Sequence, residues 1–152
     1  MPAASDRPLI RTAALALVRD RRLLQTRSAG ATVFYMAGGK LEPGENAEQA
    51  LHREIREELG VGLRDVTEVG VFETVAYGHP AGTRLHMTCF RADPIGDLPG
   101  RIRIADRIGD PYPAGEIAEL GWFTVAEYAA QPEVAPGSML VFEHLHSLGL
   151  VD

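Results

Sequence analysis

Apolar residues along the chain fall into two patterns, short runs of strand length and one longer run with helical spacing. The short runs are rich in small, β-branched or aromatic residues, and charged residues, glycine or proline separate them, which predicts strands joined by turns. The predicted strands cover residues 9–18, 22–27, 66–77, 83–92 and 116–123, with a short extended segment at 33–36.

The helical spacing predicts an amphipathic helix over residues 47–59. Asn46 and Gln49 are placed for a capping box that begins this helix, and Gly60 is a typical helix stop. One face of the helix is apolar because suitable side chains recur every four residues. These residues are Ala47, Leu51, Ile55 and Leu59.

The second half of the chain predicts further elements around a long irregular stretch. Residues 78–82 predict a hairpin loop, and residues 93–115 are broken by prolines and glycines around a short alternating strand at 101–105. Thr124 with Glu127 predicts a capped short helix, and residues 138–148 predict a C-terminal helix. Strands, a helix, more strands and more helices together indicate a mixed α/β fold.

Length and composition indicate an ordinary globular protein, for which 152 residues suffice to form one domain with a real core. We expect residues 1–8 to form a tail and residues 9–152 a single domain. No apolar run approaches the roughly 18 residues of a membrane span, and the N-terminal residues lack the order of a signal peptide. The lone cysteine, Cys89, lies in an apolar run and is expected to be buried. These features favour a cytoplasmic location.

The formal charge of −6 argues against non-specific binding of nucleic-acid polymers, which depends on basic surfaces. An acidic protein can still bind a small phosphorylated substrate if cations bridge the two. Composition alone therefore already points to a metal ion if the substrate is a phosphate ester or anhydride.

Three carboxylates are stacked on one face of the predicted helix, Glu54, Glu57 and Glu58, at positions i, i+3 and i+4. They lie within roughly 100° of arc and would repel one another unless a hard divalent cation such as magnesium binds between them. Gly38 and Gly39 just before the helix permit close backbone approach to a ligand. The alternative is an ordinary amphipathic helix whose charged face is solvated.

The spacing of these residues resembles the Nudix box, the signature of the MutT-like Nudix hydrolases. The resemblance covers 23 residues, 39–61, and fills every specified position of the motif. It implies the Nudix fold, an α/β/α sandwich with a mixed β-sheet and the box helix packed beside it. The matching positions are Gly39, Glu45, Arg53, Glu54, Ile55, Glu57, Glu58, Gly60 and Val61.

The resemblance also implies a reaction, hydrolysis of the diphosphate linkage of a nucleoside diphosphate joined to another group. Nucleoside triphosphates, nucleotide sugars and dinucleotides are such substrates. Mg2+, with Mn2+ as a substitute, would be held by Glu54, Glu57, Glu58 and the Gly39 carbonyl and would activate the attacking water. Arg53 is expected to orient the site by pairing with a box carboxylate such as Glu45.

The general base lies outside the box in some relatives, on the loop before the last strand. Glu116 is our preferred candidate there, and Glu119 and the metal-bound water near Glu57 or Glu58 are its rivals. The predicted catalytic residues are thus Arg53, Glu57, Glu58 and Glu116.

Few residues in the sequence indicate which substrate the protein binds. Arg27, Phe34 and Tyr35 are candidates for a base or phosphate pocket, although core packing explains the two aromatic residues equally well. We assign no ligand role to the five histidines, because their spacing fits no transition-metal motif.

Two other functions compete with hydrolysis. A nucleotide-sensing Nudix-fold module would bind without cleaving, but such modules usually have a damaged box, and this one is intact. A Nudix-fold isoprenoid diphosphate isomerase would need a catalytic cysteine, for which Cys89 in a strand is poor support. Among partners, we expect a small nucleotide substrate and no membrane, and a homodimer is left open.

Overall fold

A computed structural model of the protein describes residues 8–98 and 117–152. Within these ranges the chain forms seven strands and three helices. The strands are β1 (Leu9–Leu15), β2 (Val18–Arg19), β3 (Arg22–Ser28), β4 (Ala37–Lys40), β5 (Gly62–Val75), β6 (Arg84–Ile95) and β7 (Ile117–Phe123). The helices are α1 (Ala47–Leu59), α2 (Val125–Ala129) and α3 (Pro136–Ser147).

The strands form two sheets, one of which is mixed. Its four strands lie in the order β4-β1-β6-β5, with β1 parallel to β6 and the other neighbours antiparallel. The second sheet has the order β2-β3-β7 and is antiparallel. This arrangement confirms the predicted α/β fold with a mixed sheet.

Helix α1 begins and ends where the sequence predicts. Asn46 and Gln49 form both hydrogen bonds of the capping box, and Gly60 ends the helix in the left-handed conformation at φ 70°. The apolar face is buried against the mixed sheet, with Leu51 and Ile55 fully inaccessible to solvent. Ala50 joins this face, and Ala47 lies at its edge. The helix is therefore anchored by packing on one side, which leaves the other side free to carry charge.

The two faces of the mixed sheet carry separate cores. Successive strand residues point to opposite faces, so Ala13 and Leu15 pack on the α1 side whereas Ala14 packs on the α3 side. Phe142 of α3 and Tyr128 of α2 are buried in the second core. The box helix and the C-terminal helix thus cover opposite faces of the same sheet.

Several strand boundaries differ from the prediction, and β4 lies at Ala37–Lys40, just after the extended segment predicted at 33–36. β1 ends at Leu15, and Val18 belongs to the separate short strand β2. β5 begins at Gly62 because irregularities in its pairing with β6 allow a polar segment to join the strand. β6 continues through Pro94, which is tolerated because β1 pairs with β6 only as far as Phe90, so Pro94 has a neighbour on one side alone.

The C-terminal helix begins at Pro136, two residues before the predicted start at Ser138. Proline suits the first helical position, because its fixed φ matches the helix and its missing amide is not needed there. Ser138 therefore lies inside the first turn and does not cap the helix. The predicted strand at residues 101–105 lies outside the described residues.

In the described parts of the chain, none of the helices combines the length and apolar character that crossing a membrane would require.

The buried face of α1 can be tested with Ile55, which is fully buried. Ile55→Asp places an unpaired charge in the core, and we expect it to cost more than about 4 kcal/mol of the free energy of unfolding. Ile55→Val, the matched control, removes one methylene and should cost about 1 kcal/mol. Chemical denaturation followed by circular dichroism measures both, and an aspartate variant as stable as the valine variant would contradict this packing.

Candidate active site

Glu54 lies directly against the backbone of Gly39. A methyl group at Gly39 would stand 2.5 Å from Cδ of Glu54 and 2.7 Å from each of its carboxylate oxygens. β4 holds Gly39 in register with Ala13 of β1, and α1 packs on the same face, so strand and helix bring the two residues together. Only glycine leaves room for this carboxylate beside the strand.

Glu58 forms a close carboxylate pair with Glu54. The pKa of Glu58 rises to about 8, first because burial disfavours its charged form and then because of the negative charge of Glu54. A hydrogen bond from the Gly38 amide opposes this rise. One oxygen of Glu58 is shielded from solvent and has no hydrogen-bond partner among the described residues. A proton or a cation bound between the two carboxylates would therefore stabilise the pair.

Arg53 joins the loop before α1 to the helix, as predicted. Its Nε and Nη2 donate to the two oxygens of Glu45 at 2.7 and 2.9 Å, a bidentate ion pair. It also donates to Glu54 at 2.9 Å and to the Lys40 carbonyl at 3.0 Å. The hydrogen bonds from Arg53 hold the pKa of Glu45 at about 2, well below its usual range. This single guanidinium thus contacts β4, the loop and the helix.

Glu57 lies apart from the other two box carboxylates. Its side chain is exposed and approaches Nη1 of Arg53 at 3.4 Å. Over residues 8–98 and 117–152, no group of three His, Cys, Asp or Glu side chains converges on a point where a metal ion could be held. The three predicted carboxylate ligands are therefore arranged as the Glu54–Glu58 pair with Glu57 at the edge.

The donor set nevertheless fits a hard divalent cation. Carboxylate and carbonyl oxygens are the ligands that magnesium prefers, and Glu54, Glu58 and the Gly39 backbone supply both kinds within a small space. A cation would satisfy the shielded oxygen of Glu58 and remove the repulsion within the pair.

Of the two candidate general bases outside the box, Glu119 alone lies within the described residues. Glu116 lies outside the described residues. Glu119 accepts hydrogen bonds from Nη2 and Nε of Arg27 at 2.6 and 3.2 Å. Arg27 also donates to the Ala31 carbonyl and lies over the ring of Phe34. Arg27 and Glu119 thereby join β3 to β7, and a role in binding substrate or in catalysis stays a prediction for both.

The two aromatic residues predicted to line a substrate pocket, Phe34 and Tyr35, lie in different environments. Phe34 is buried in the core, where its ring meets Phe123 edge to face at 5.0 Å. Tyr35 borders a cavity of about 240 Å3 on the α3 side of the mixed sheet. Burial raises the pKa of Tyr35, as do the neighbouring Tyr128 and Glu133. Of the two, Tyr35 alone lines this cavity, and a role in binding substrate stays a prediction for both.

The cavity reaches the box at β4, because Gly38 and Gly39 line one of its sides. Its other walls come from β1, the end of β5, β6 and the beginning of α3, and most of its surface is apolar. Tyr77 and Ser138, which are not among the predicted pocket residues, also line the cavity. The available signal for Ser138 was a small hydroxyl residue at the start of an otherwise apolar helical run.

Cys89 and several histidines lie in ordinary packing or ion-pair environments. Cys89 is fully buried, as predicted, and burial raises its pKa to about 12, which disfavours the reactive thiolate at neutral pH. His52 and His86 each approach a glutamate at 3.8 Å, while His144 packs edge to face on Phe72. The absence of a ligand role for the five histidines stays a prediction.

Comparison with known proteins identifies the family. The NUDIX domain profile matches residues 9–145. The NAD-capped RNA hydrolase NudC of Mycobacterium tuberculosis is 35% identical over 127 residues, which are 81% of this chain and 36% of that protein. This chain thus spans about a third of the length of that relative. The CTP pyrophosphohydrolase of Escherichia coli K12 is 42% identical over 57 residues, 35% of this chain and 42% of that protein.

Solved structures agree with this comparison. The solution structure of the E. coli ORF135 protein has a TM-score of 0.68 to this fold, with 28% identity, and the match covers 98% of this chain and 96% of that one. The domain match covers most of the described residues. It agrees with the intact box and with the mixed sheet that packs against α1. The chain belongs to the NUDIX domain family.

Proposed function

We propose that this protein is a metal-dependent pyrophosphohydrolase that cleaves the diphosphate linkage of a nucleoside diphosphate joined to another group. The observation that carries the proposal is the Glu54–Glu58 pair beside Gly39, next to a cavity that opens along the same strand. Carboxylates paired without a cation are costly, and a diphosphate needs its charge neutralised before water can attack it. One divalent cation meets both needs.

The metal site would use Glu54, Glu58 and the Gly39 carbonyl, with Glu57 completing it from the exposed side. When bound, Mg2+ or Mn2+ would polarise a phosphoryl oxygen and lower the pKa of water. Arg53 holds Glu54 in place through its hydrogen bond and keeps the loop closed on the helix through Glu45. Glu116 remains our candidate for the base that takes the proton from the attacking water.

The cavity would receive the nucleoside part of the substrate. Its apolar walls and the rings of Tyr35 and Tyr77, whose centroids are 6.4 Å apart, suit a planar group with polar edges. NudC and CTP pyrophosphohydrolase are named for substrates that contain a nucleotide, which supports a nucleotide here. Nucleoside triphosphates, nucleotide sugars and dinucleotides all share the required diphosphate.

The reaction is tested by a product-release screen over nucleoside triphosphates, nucleotide sugars, dinucleotides and coenzyme A. Each is assayed with magnesium, with manganese and with a chelator. We expect turnover of at least one class that the chelator abolishes. Nucleotide binding without turnover of any compound would instead favour the sensing module.

Glu58→Gln tests the carboxylate pair. Because the amide cannot replace a charged ligand, we expect metal-dependent turnover to fall at least about 100-fold. The melting temperature should stay the same or rise, since the neutral amide replaces a carboxyl whose pKa burial raises to about 8, and such a shift costs stability at neutral pH. Glu48→Gln, on the exposed first turn of the same helix, is the control and should keep full activity. An active Glu58→Gln enzyme would rule out this role.

Gly39→Ala tests the close approach of strand and carboxylate. The new methyl group must displace the Glu54 carboxylate, which is the flexible end of a side chain, so the fold should survive while metal binding weakens. The readout is the rise in melting temperature on adding magnesium, because a ligand that binds the native state stabilises it. We expect this rise in wild type and much less of it in the variant.

Gly62→Ala is the matched control, because a methyl group there would meet Ile95 at an ordinary 3.6 Å. It should keep the full response to magnesium. An equal response in Gly39→Ala would show that Glu54 does not depend on this glycine.

A further inference from the structure

Glu133 joins two loops that are far apart in the sequence. Its Oε2 accepts a hydrogen bond from the Tyr77 hydroxyl at 2.6 Å, and its Oε1 accepts one from the Thr32 hydroxyl. Tyr77 follows β5 and Thr32 lies between β3 and β4, whereas Glu133 lies between α2 and α3. Both oxygens of one carboxylate therefore connect three separate segments of the chain.

Both hydrogen bonds to Glu133 are charge-assisted, and such bonds are roughly twice as strong as those between neutral groups. The bond from Thr32, and then the bond from Tyr77, hold the pKa of Glu133 below its usual value. The bond to Glu133 in turn raises the pKa of Tyr77, so the phenol stays protonated and able to donate. The connection is therefore present at neutral pH, with a charged acceptor and a neutral donor.

Glu133 reaches the cavity only through Tyr77. Tyr77 and Tyr35 both line the cavity, with their ring centroids 6.4 Å apart and their planes at 55°. A methyl group at Gly78, the next residue of the loop, would stand 3.5 Å from the Tyr35 hydroxyl. Glu133 is not one of the lining residues. It therefore contacts a residue of the cavity wall from outside the cavity.

The hairpin loop at residues 76–83 has backbone hydrogen bonds that lie within the loop itself. They run from Ala76 to Thr83, from His79 to Ala76 and from Thr83 to Pro80. These bonds shape the loop but do not fix its position relative to α3. The Tyr77 side chain connects the loop to the segment before α3, through Glu133.

We propose that Glu133 is a positioning residue that holds Tyr77 beside Tyr35 and thereby fixes this wall of the cavity before substrate binds. The inference rests on the proposed function and deepens it by assigning a residue that acts on affinity without touching the substrate. A wall that is already in place loses less conformational entropy when a ligand arrives, so binding is tighter. Substrate affinity should therefore depend on Glu133, and the cleavage step should not.

Glu133→Ala and Tyr77→Phe, alone and together, test this assignment. Tyr77→Phe keeps the ring but removes the donor, so the two single variants break the same hydrogen bond from its two ends. Glu143→Ala, which removes an exposed carboxylate of α3, is the control. Backbone hydrogen exchange is measured without ligand. Steady-state kinetics use the compound of the product-release screen that wild type hydrolyses fastest.

We expect Glu133→Ala to speed hydrogen exchange in the loop at residues 76–83 at least about 3-fold, because the loop opens more often. KM should rise about 3- to 10-fold, the equivalent of one hydrogen bond, while kcat stays within about 2-fold of wild type. The double variant should be no worse than Glu133→Ala, because the two residues act as one unit. Glu133→Gln keeps one acceptor oxygen and should recover part of the loss, and Glu143→Ala should match wild type.

Four outcomes would overturn the proposal. Unchanged exchange in the loop would mean that Glu133 does not hold it. A lower melting temperature with unchanged KM would leave Glu133 a purely structural role. A fall in kcat at constant KM would place it in the cleavage step, and additive losses in the double variant would show that it does not act through Tyr77. Failure of the proposed function is seen separately, as the absence of metal-dependent turnover by wild type.

Discussion

The bidentate pair between Arg53 and Glu45 holds the site together. Through it the loop that leaves β4 is fastened to the helix, and the same guanidinium reaches the Lys40 carbonyl and Glu54. The loop is therefore closed at both ends, by the β4–β1 pairing and by this arginine. Lysine would keep the charge but not the two parallel hydrogen bonds, so the geometry depends on the planar guanidinium.

Charge is distributed unevenly around that arginine. Glu45 and Glu54 share its hydrogen bonds, whereas the half-buried Glu58 beside Glu54 accepts a hydrogen bond from the Gly38 amide. The apolar packing of Leu51 and Ile55 keeps α1 on the sheet and holds Glu58 where it is partly desolvated. The apolar packing of one face of α1 thus offsets the cost of holding two carboxylates close together on the other face, as is common at functional sites.

Local patterns were enough to predict α1, since its cap, stripe and glycine stop lie within a few residues of one another. The pairing of Arg53 with Glu45 could also be predicted, because both belong to one motif. The cavity could not, because Tyr35, Tyr77 and Ser138 come from separate parts of the chain and meet only through the sheet. The start of α3 was placed two residues late because Pro136 and Gly137 predict a break in the chain, whereas Pro136 begins the helix.

Strand β4 (Ala37–Lys40) lies at the edge of the mixed sheet, between the carboxylate pair and the apolar cavity. On one side Gly39 meets a charged helix, and on the other the strand borders an apolar cavity. Many of the side chains that line the cavity lie on β1, β5, β6 and α3, away from the carboxylate pair, so they can be exchanged without disturbing it. With such a layout, point mutations can reshape the cavity of a descendant protein while the carboxylate pair is inherited unchanged.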